Sequence, residues 1–278
     1  MTDTLAVMRA TLARNPDLGP RIASAVVLVA IALGPILMGG PLLVILAALA
    51  GGAMAWEFRR ITGGGTGVQE VLFVLLPVLG VGLLLIAPVW LAVLVVVAGA
   101  AAHGLTDHRA GRSWRWPVPG LMVIGLACVA FPVLRAMPSH GLETIIWIIL
   151  VVVATDVGAY AVGRAVGGPK LWPRVSPKKT WAGLGGGVAA ATLVGGLFSW
   201  ATSGTNADLV CTVSAIAALV AQGGDLAESG LKRRFGVKDA GTLIPGHGGV
   251  LDRLDGFLAA TLAVAISTLV HGKPVFLS

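Results

Sequence analysis

Side chains that could take part in chemistry are concentrated in residues 223–256, near the C-terminal end of the chain. The stretch reads GGDLAESGLKRRFGVKDAGTLIPGHGGVLDRLDG and is the most polar part of the sequence. Asp225 and Glu228 are three residues apart, as are Asp252 and Asp255, so each pair would share one face of a helix. Such acids beside Lys and Arg suit a metal-bound polyphosphate, because carboxylate oxygens are ligands for Mg²⁺ and cations neutralise phosphate oxygens.

Cations and a glycine-rich turn lie between and beside these acid pairs. The segment IPGHGG surrounds His247 with glycines, which allow the backbone to approach a ligand closely. Simpler interpretations remain open: His247 can serve as a turn residue, and Glu228 and Asp255 can be ion-pair partners of nearby arginines. The basic residues of the stretch are Lys232, Arg233, Arg234, Lys238 and Arg253.

A second polar segment, residues 164–181, reads RAVGGPKLWPRVSPKKTW and follows an apolar run that ends with Asp156 and Tyr160. An acid at membrane depth costs about 2.5–3.5 kcal/mol on insertion scales, so Asp156 is a candidate functional residue. The alternative for Asp156 is a snorkelling or helix-paired acid near the interface. The segment itself is either a solvated linker or a phosphate-binding loop, and the proline after Ser176 predicts an extended entry to it. Its candidate ligand-binding side chains are Ser176, Lys178, Lys179 and Thr180.

Membrane-spanning helices must position these residues. The chain is 56% hydrophobic and 12% charged, with a mean hydropathy of +0.89, whereas soluble proteins are about 25% charged. Cys128 and Cys211 both lie within apolar runs, so neither a disulfide framework nor a zinc site is indicated.

The apolar segments predict an all-α polytopic transmembrane bundle of about nine spans, because helices satisfy the backbone in lipid. We divide the chain into an N-terminal cytoplasmic segment (1–20), N-terminal transmembrane helices (21–134) and a C-terminal catalytic transmembrane region (142–278). The predicted spans are 21–38, 41–58, 69–86, 88–104, 117–134, 142–163, 182–202, 207–228 and 249–270.

The distribution of positive charge predicts the orientation of the bundle. With the N-terminus in the cytoplasm, eighteen of the twenty Lys and Arg residues lie inside, and Arg135 and Lys273 lie outside. This bias supports an N-in, C-out topology, with both polar segments facing the cytoplasm. The membrane that we expect is a bacterial inner membrane. The net charge of +7 and pI near 10.1 therefore need no nucleic-acid partner.

Several other polar features are interpreted as structural. The N-terminal segment has no signal-peptide pattern and is either a short interfacial helix or a frayed tail. The loops after the second and fourth spans, RRITGGGTG and LTDHRAGRSWRW, are typical of basic connectors. Glu57 and Glu70 flank the first of these loops and are predicted to be solvated.

The C-terminal stretch resembles the signature of the integral-membrane phosphatidate cytidylyltransferases, also called CDP-diacylglycerol synthases. The upstream GDLAES and SPKKTW segments also resemble the family, as does Asp156 followed by Tyr160 and Gly163. One departure is Ala182, where the family commonly has Glu, so the role of that Glu is dispensable here or another acid supplies it. The matched signature positions are Ser229, Lys232, Arg233, Lys238, Asp239, His247, Gly248, Gly249, Asp252, Arg253 and Asp255.

The resemblance implies that CTP and phosphatidic acid give CDP-diacylglycerol and pyrophosphate, with Mg²⁺ as cofactor and a second metal ion as an option. The attacking phosphate oxygen is already anionic, so catalysis would depend on positioning and charge neutralisation. The predicted catalytic residues are Asp225, Asp252, Lys232, Arg253 and His247. The predicted substrate-binding residues are Ser176, Lys178, Lys179, Thr180, Arg233, Lys238 and Ser229. The predicted metal ligands are Asp225, Asp252, Asp156, Glu228 and Asp255.

Two other classes of function share part of this pattern. A CTP-dependent polyprenol or phytol kinase would use similar helices and acids but transfer the γ-phosphoryl group. A membrane carrier would also place acids in spans, but would distribute polar residues through the bilayer or repeat broken helices in both halves. The expected partners are membrane lipid and the two substrates, and a homodimer is one option for the oligomeric state.

Overall fold

Helices form most of the regular structure in the computed structural model, which describes residues 18–63, 67–202, 206–246 and 248–272. The short 3₁₀ turn Leu83–Leu85 continues α3. The helices of the described residues are α1 (Leu18–Met38), α2 (Gly40–Ile61), α3 (Val68–Gly82), α4 (Val89–Arg109), α5 (Pro117–Arg135), α6 (Gly141–Val166), α7 (Trp181–Ala201), α8 (Ala207–Arg234) and α9 (Leu251–His271).

The predicted all-α membrane bundle is confirmed. Within the described residues, eight helices are long and apolar enough to cross a membrane, α3 being counted together with its 3₁₀ extension. The first predicted span, 21–38, falls on α1, whose apolar part, Val26–Met38, is shorter than the other eight. The sequence left the conformation of the N-terminal segment open. Residues 1–17 of that segment lie outside the described residues.

The segment between α6 and α7 forms a small antiparallel hairpin, although the sequence predicted only helices. Its strands are β1 (Lys170–Trp172) and β2 (Ser176–Thr180), with Lys170 opposite Thr180 and Trp172 opposite Ser176. The extended conformation predicted at the Ser176–Pro177 step is therefore present. Thr180 Oγ1 accepts a hydrogen bond from the Gly183 N–H at 3.0 Å, so the hairpin ends directly in the N-cap of α7. We call this end of the bundle the hairpin end.

Small residues bring the helices of the C-terminal half into close contact. A Cβ on Gly187 of α7 would lie 2.8 Å from the Thr155 carbonyl oxygen of α6, and one on Gly183 would lie 2.9 Å from the Ala159 oxygen. A Cβ on Gly224 of α8 would lie 3.0 Å from the Asp255 carbonyl oxygen of α9. Small residues allow such close packing in membrane bundles, and here they bring α6, α8 and α9 together around the acids that each carries.

The loops after α2 and α4 are tied together by buried charges. Asp107 is fully buried, and its carboxylate accepts hydrogen bonds from Arg59 at 3.0 and 3.2 Å and from Arg112 at 2.9 Å. His103 Nε2 lies 3.5 Å from the same carboxylate, and the Arg59 guanidinium lies over the Phe73 ring. The interpretation of these loops as ordinary basic connectors is therefore wrong for Arg59, Asp107 and Arg112, which connect α2 to α4.

Candidate active site

Asp225 lies at the centre of a chain of polar contacts at the hairpin end. Its Oδ2 forms an ion pair with Lys179 Nζ at 2.6 Å, and its Oδ1 accepts a hydrogen bond from Ser229 Oγ at 3.3 Å. Lys179 also donates to Gln222 Oε1 at 3.0 Å, and Gln222 Nε2 donates to Asp156 Oδ1 at 3.2 Å. Helix α6, the hairpin and helix α8 thus contribute to one connected network, which includes four of the predicted site residues.

Asp255 of α9 belongs to the same acidic group. Its carboxylate is close enough to those of Asp225 and Asp156 for the like charges to repel one another. The carboxylates of Asp156 and Asp225 repel each other for the same reason. The Asp255 Oδ1 accepts a hydrogen bond from the adjacent Gly256 N–H at 2.7 Å. No ion pair to Asp255 is formed within the part of the chain that the structure describes. The suggestion that Asp255 is merely paired with a nearby arginine therefore has no support there.

Lys232 joins the two acid pairs of the motif. Its Nζ lies 2.7 Å from Asp252 Oδ1 and 2.6 Å from Glu228 Oε2. Glu228 Oε1 is buried and has no hydrogen-bond partner among the described groups. Lys232 and Glu228 are one helical turn apart on α8, whereas Asp252 lies in the first turn of α9, so Lys232 fixes the position of α9 relative to α8.

Asp252 also organises the connection that precedes its own helix. Its carboxylate accepts hydrogen bonds from the backbone N–H of Ala240 at 2.9 and 3.1 Å and from the N–H of Gly249 at 2.9 Å. Ile244 and Gly248 exchange backbone hydrogen bonds across the turn between them. The glycine turn predicted from IPGHGG is present, since Gly246 and Gly248 have φ of +74° and +87° and glycine adopts such angles without strain. His247 lies outside the described residues.

The remaining predicted ligand-binding residues have different environments. Thr180 is buried and engaged as the N-cap of α7, whereas Ser176 lies in the hairpin, opposite Trp172. Arg233 Nε donates to the Val175 carbonyl oxygen at 3.5 Å, a long contact that connects α8 to the turn of the hairpin. Lys238 is exposed, in the connection after α8.

An open cavity of about 430 Å³ lies between the hairpin and helices α6, α7 and α8. We call it the charged cavity because its lining includes four cationic side chains and two acidic ones. Its lining also includes Tyr160, whose hydroxyl oxygen accepts a hydrogen bond from Arg164 at 3.0 Å. The charged lining residues are Asp156, Arg164, Lys170, Lys178, Lys179 and Asp225.

A second open cavity, of about 480 Å³, lies between α1, α2, α5, α6 and α9. We call it the apolar cavity because aliphatic and aromatic side chains such as Leu28, Met54 and Phe257 form most of its wall. Asp156 and Arg253 are its charged lining residues. Asp156 lines both cavities, so the two cavities are neighbours on either side of this residue.

Two polar residues of this region were not identified from the sequence. Gln222 connects Lys179 to Asp156, and its only sequence signal is its position three residues before Asp225. Glu57 was predicted to be solvated, and that prediction is wrong: its side chain is 0% exposed and accepts hydrogen bonds from the N–H groups of Val250 and Leu251. The sequence carried no signal for this burial, because α2 is apolar on nearly all sides and only the structure identifies its buried face.

The fold and site define an α-helical integral membrane protein in which acids and cations from separate helices meet beside a charged cavity and an apolar one. The model of the cytidylyltransferase family matches residues 19–271. The chain belongs to this family.

Individual relatives are similar over nearly the whole chain. The phosphatidate cytidylyltransferase of Brucella abortus biovar 1 (strain 9-941) is 38% identical over 264 residues, which cover 94% of this chain and 97% of the relative. The phosphatidate cytidylyltransferase of Brucella suis biovar 1 (strain 1330) is 38% identical over 93% of this chain and 96% of its own. That of Staphylococcus haemolyticus (strain JCSC1435) is 43% identical over 139 residues, covering 50% of this chain and 54% of its own. The family recognised from the C-terminal motif is therefore confirmed.

Proposed function

We propose that the protein is a phosphatidate cytidylyltransferase of phospholipid biosynthesis, which converts CTP and phosphatidic acid to CDP-diacylglycerol and pyrophosphate. The observation that carries this proposal is that a charged cavity and an apolar cavity share Asp156 in their linings. The charged cavity offers cations to a triphosphate, and the apolar cavity offers a wall for acyl chains. A phosphate headgroup between them would lie beside the triphosphate without leaving the bilayer.

The proposed reaction is a displacement at the α-phosphorus of CTP. An oxygen of the lipid phosphate forms a bond to this phosphorus, the bond to the bridging oxygen of the β-phosphate breaks, and pyrophosphate leaves with that electron pair. Lys178 and Lys179 line the cavity on the side of the hairpin, where their ammonium groups can neutralise phosphate oxygens. Arg253 lines the apolar cavity and is assigned to the lipid phosphate. The role of these side chains is to hold two anions together, because no proton must be removed from the nucleophile.

The cofactor proposed for this site is Mg²⁺, and the donors around Asp225 fit a hard divalent cation. The carboxylates of Asp156, Asp225 and Asp255 repel one another, and a divalent cation held by their oxygens would offset that repulsion. Among the described residues, no three His, Cys, Asp or Glu side chains converge as a complete metal site. Mg²⁺ does not need a complete protein site, because it commonly binds one or two carboxylates and takes further ligands from water and substrate phosphates. When bound, Mg²⁺ would supply positive charge to the triphosphate oxygens.

Asp252 and Glu228 are assigned a different task from the other acids. Both oxygens of Asp252 accept hydrogen bonds from protein groups, and both acids contact Lys232. We therefore assign them to holding Lys232 and the start of α9 in place. Their role as metal ligands, and the second metal ion, stay predictions.

The reaction is tested with the purified protein and CTP labelled on either the α- or the γ-phosphorus. Incorporation of the α-label into lipid, with release of the γ-label as pyrophosphate, is the expected result. Transfer of the γ-label to a polyprenol or phytol would instead identify the alternative CTP-dependent kinase. Absence of label in any lipid, together with transport of a solute, would support a carrier.

Replacement of both hairpin lysines, Lys178→Gln with Lys179→Gln, is expected to lower kcat/KM for CTP by at least about tenfold, or ~1.4 kcal/mol. Both side chains line the charged cavity, and their loss removes two positive charges from a site that must hold a triphosphate. Steady-state kinetics at varied CTP measure the effect. Arg174→Gln, an exposed hairpin residue outside the cavity lining, is the matched control. Near-normal kinetics in the double variant would return the hairpin to the role of a linker.

We further propose that the hairpin end faces the cytoplasm of a bacterium and that the C-terminus lies outside the inner membrane. Eighteen of the twenty Lys and Arg residues support this orientation. A reporter that is active only in the cytoplasm is expected to be inactive after Ser278 and active before Met1. An active reporter at the C-terminus would contradict this topology: activity at both ends would mean an even number of spans, and activity at the C-terminus alone would mean a reversed orientation.

A further inference from the structure

Glu57 is a fully buried acid that lies far in sequence from the motif it contacts. It lies in the last turns of α2, and its side chain is 0% exposed. Its Oε1 accepts a hydrogen bond from the Val250 N–H at 3.0 Å, and its Oε2 accepts one from the Leu251 N–H at 2.8 Å. Each of its oxygens is therefore bound to a backbone amide at the start of α9, the helix that carries Asp252, Arg253 and Asp255.

These amides are the described partners that compensate for burial of the carboxylate. No cation forms an ion pair with Glu57 among the residues that the structure describes, and burying an unpaired charge is costly. The first N–H groups of a helix have no intrahelical acceptor and carry partial positive charge, so a carboxylate placed there is favoured. Glu57 thus acts as the N-terminal cap that α9 itself lacks, since the Val250 side chain provides no capping hydrogen bond.

Two glycines of the motif make room for this carboxylate. A Cβ on Gly241 would lie 2.5 Å from Glu57 Oε1, and one on Gly249 would lie 2.7 Å from Oε2. Neither glycine has a positive φ, so the backbone at these positions would accept alanine. The absence of a side chain at both positions is therefore explained by the close approach of Glu57.

Glu57 and Asp252 together hold both ends of the connection between α8 and α9. Asp252 binds the N–H groups of Ala240 and Gly249, and Glu57 binds the next two N–H groups of the chain, those of Val250 and Leu251. The first turn of α9 then has one position relative to α2. That turn carries Arg253 and Asp255, whose side chains were assigned above to the lipid phosphate and the acidic group.

We infer that Glu57 is a positioning residue for the reaction, contributed by the N-terminal half of the chain; this inference rests on the proposed function. It sets the start of α9 and so places Arg253, the residue assigned to the lipid phosphate, for attack on CTP. The Val250 and Leu251 amides that Glu57 binds are not among the groups that line the charged cavity. Loss of Glu57 should therefore lower turnover without weakening the binding of CTP.

The test compares Glu57→Gln with Glu70→Gln, an exposed acid at the start of α3. Gln keeps the shape, but its amide NH₂ must face a backbone N–H donor. We expect kcat per folded enzyme to fall at least about tenfold while KM for CTP changes by less than about threefold. Glu70→Gln should retain both values. Folded enzyme is counted by size-exclusion recovery in detergent, and α-labelled CTP reports the product.

A double-mutant cycle keeps the test valid if Glu57→Gln folds poorly. Gly241→Ala should lower kcat in the wild-type background because its methyl group displaces the carboxylate. In a Glu57→Asp background, whose shorter side chain already lacks the contact, Gly241→Ala should have little further effect, so the two changes are strongly non-additive. Additive effects, or a Glu57→Gln enzyme with lower thermal stability but normal kcat per folded protein, would overturn the positioning role. A wild-type enzyme that forms no labelled lipid would instead refute the proposed function.

Discussion

Asp225→Asn is expected to insert and fold normally but to lose CDP-lipid formation by about 100-fold or more, equivalent to ~2.7 kcal/mol in the barrier. Asn preserves the shape of the side chain but removes the charge that binds Lys179 and would hold a hard cation. The Asp225 side chain is 35% exposed, so its neutralisation leaves no large buried defect. Turnover is measured with α-labelled CTP at saturating CTP and Mg²⁺.

Asp208→Asn is the matched control for this prediction. Asp208 is an exposed acid in the first turn of the same helix, at the opposite end from Asp225. Its neutralisation should leave turnover unchanged. Retention of more than about a tenth of wild-type turnover by Asp225→Asn, a barrier change below ~1.4 kcal/mol, would show that Asp225 is not a metal ligand.

Asp107→Asn is expected to lower the free energy of unfolding by about 3–5 kcal/mol, because it removes the counter-charge of a buried cation. The Asp107 side chain is fully buried between Arg59 and Arg112, and the Arg59 side chain is 3% exposed. The amide of Asn would also direct a donor towards guanidinium donors. Denaturant titration in detergent micelles, followed by intrinsic tryptophan fluorescence, measures the change.

The double variant Asp107→Leu with Arg59→Met separates a lost ion pair from a general intolerance of the site. It replaces both charges by apolar groups, and such replacements are often neutral. It should therefore be more stable than Asp107→Asn alone. A single variant within about 0.5 kcal/mol of wild type, the range of ordinary surface substitutions, would mean that the network contributes nothing to stability.

Positions of the helices were predictable because lipid imposes a simple condition. Every backbone polar group in the hydrocarbon core needs an internal partner, so long apolar runs must be helical. Candidate residues of the chemical site could be proposed for a related reason. Acids such as Asp156 are costly in apolar surroundings, so their presence there indicates function, and the spacing of the C-terminal motif identified the family.

Hairpin formation was not predictable in the same way. The strand segments KLW and SPKKT are short and show no apolar alternation, so no pattern indicated that they would pair. Only the extended step before Pro177 follows from local sterics. Pairing depends on α6 and α7 packing closely enough to bring the two ends of the segment together.

The amino-acid sequence by itself determined the membrane helices, the concentration of acids and cations in two segments, and membership of the family. Tertiary structure decided which polar residues meet. Asp107 contacts Arg59 across 48 residues, and Glu57 contacts Val250 across 193. Local rules describe only near neighbours along a helix or strand, so they left Glu57 indistinguishable from the solvated Glu70. The difference arises because helix packing places one carboxylate against the free N–H groups of α9 and leaves the other in solvent.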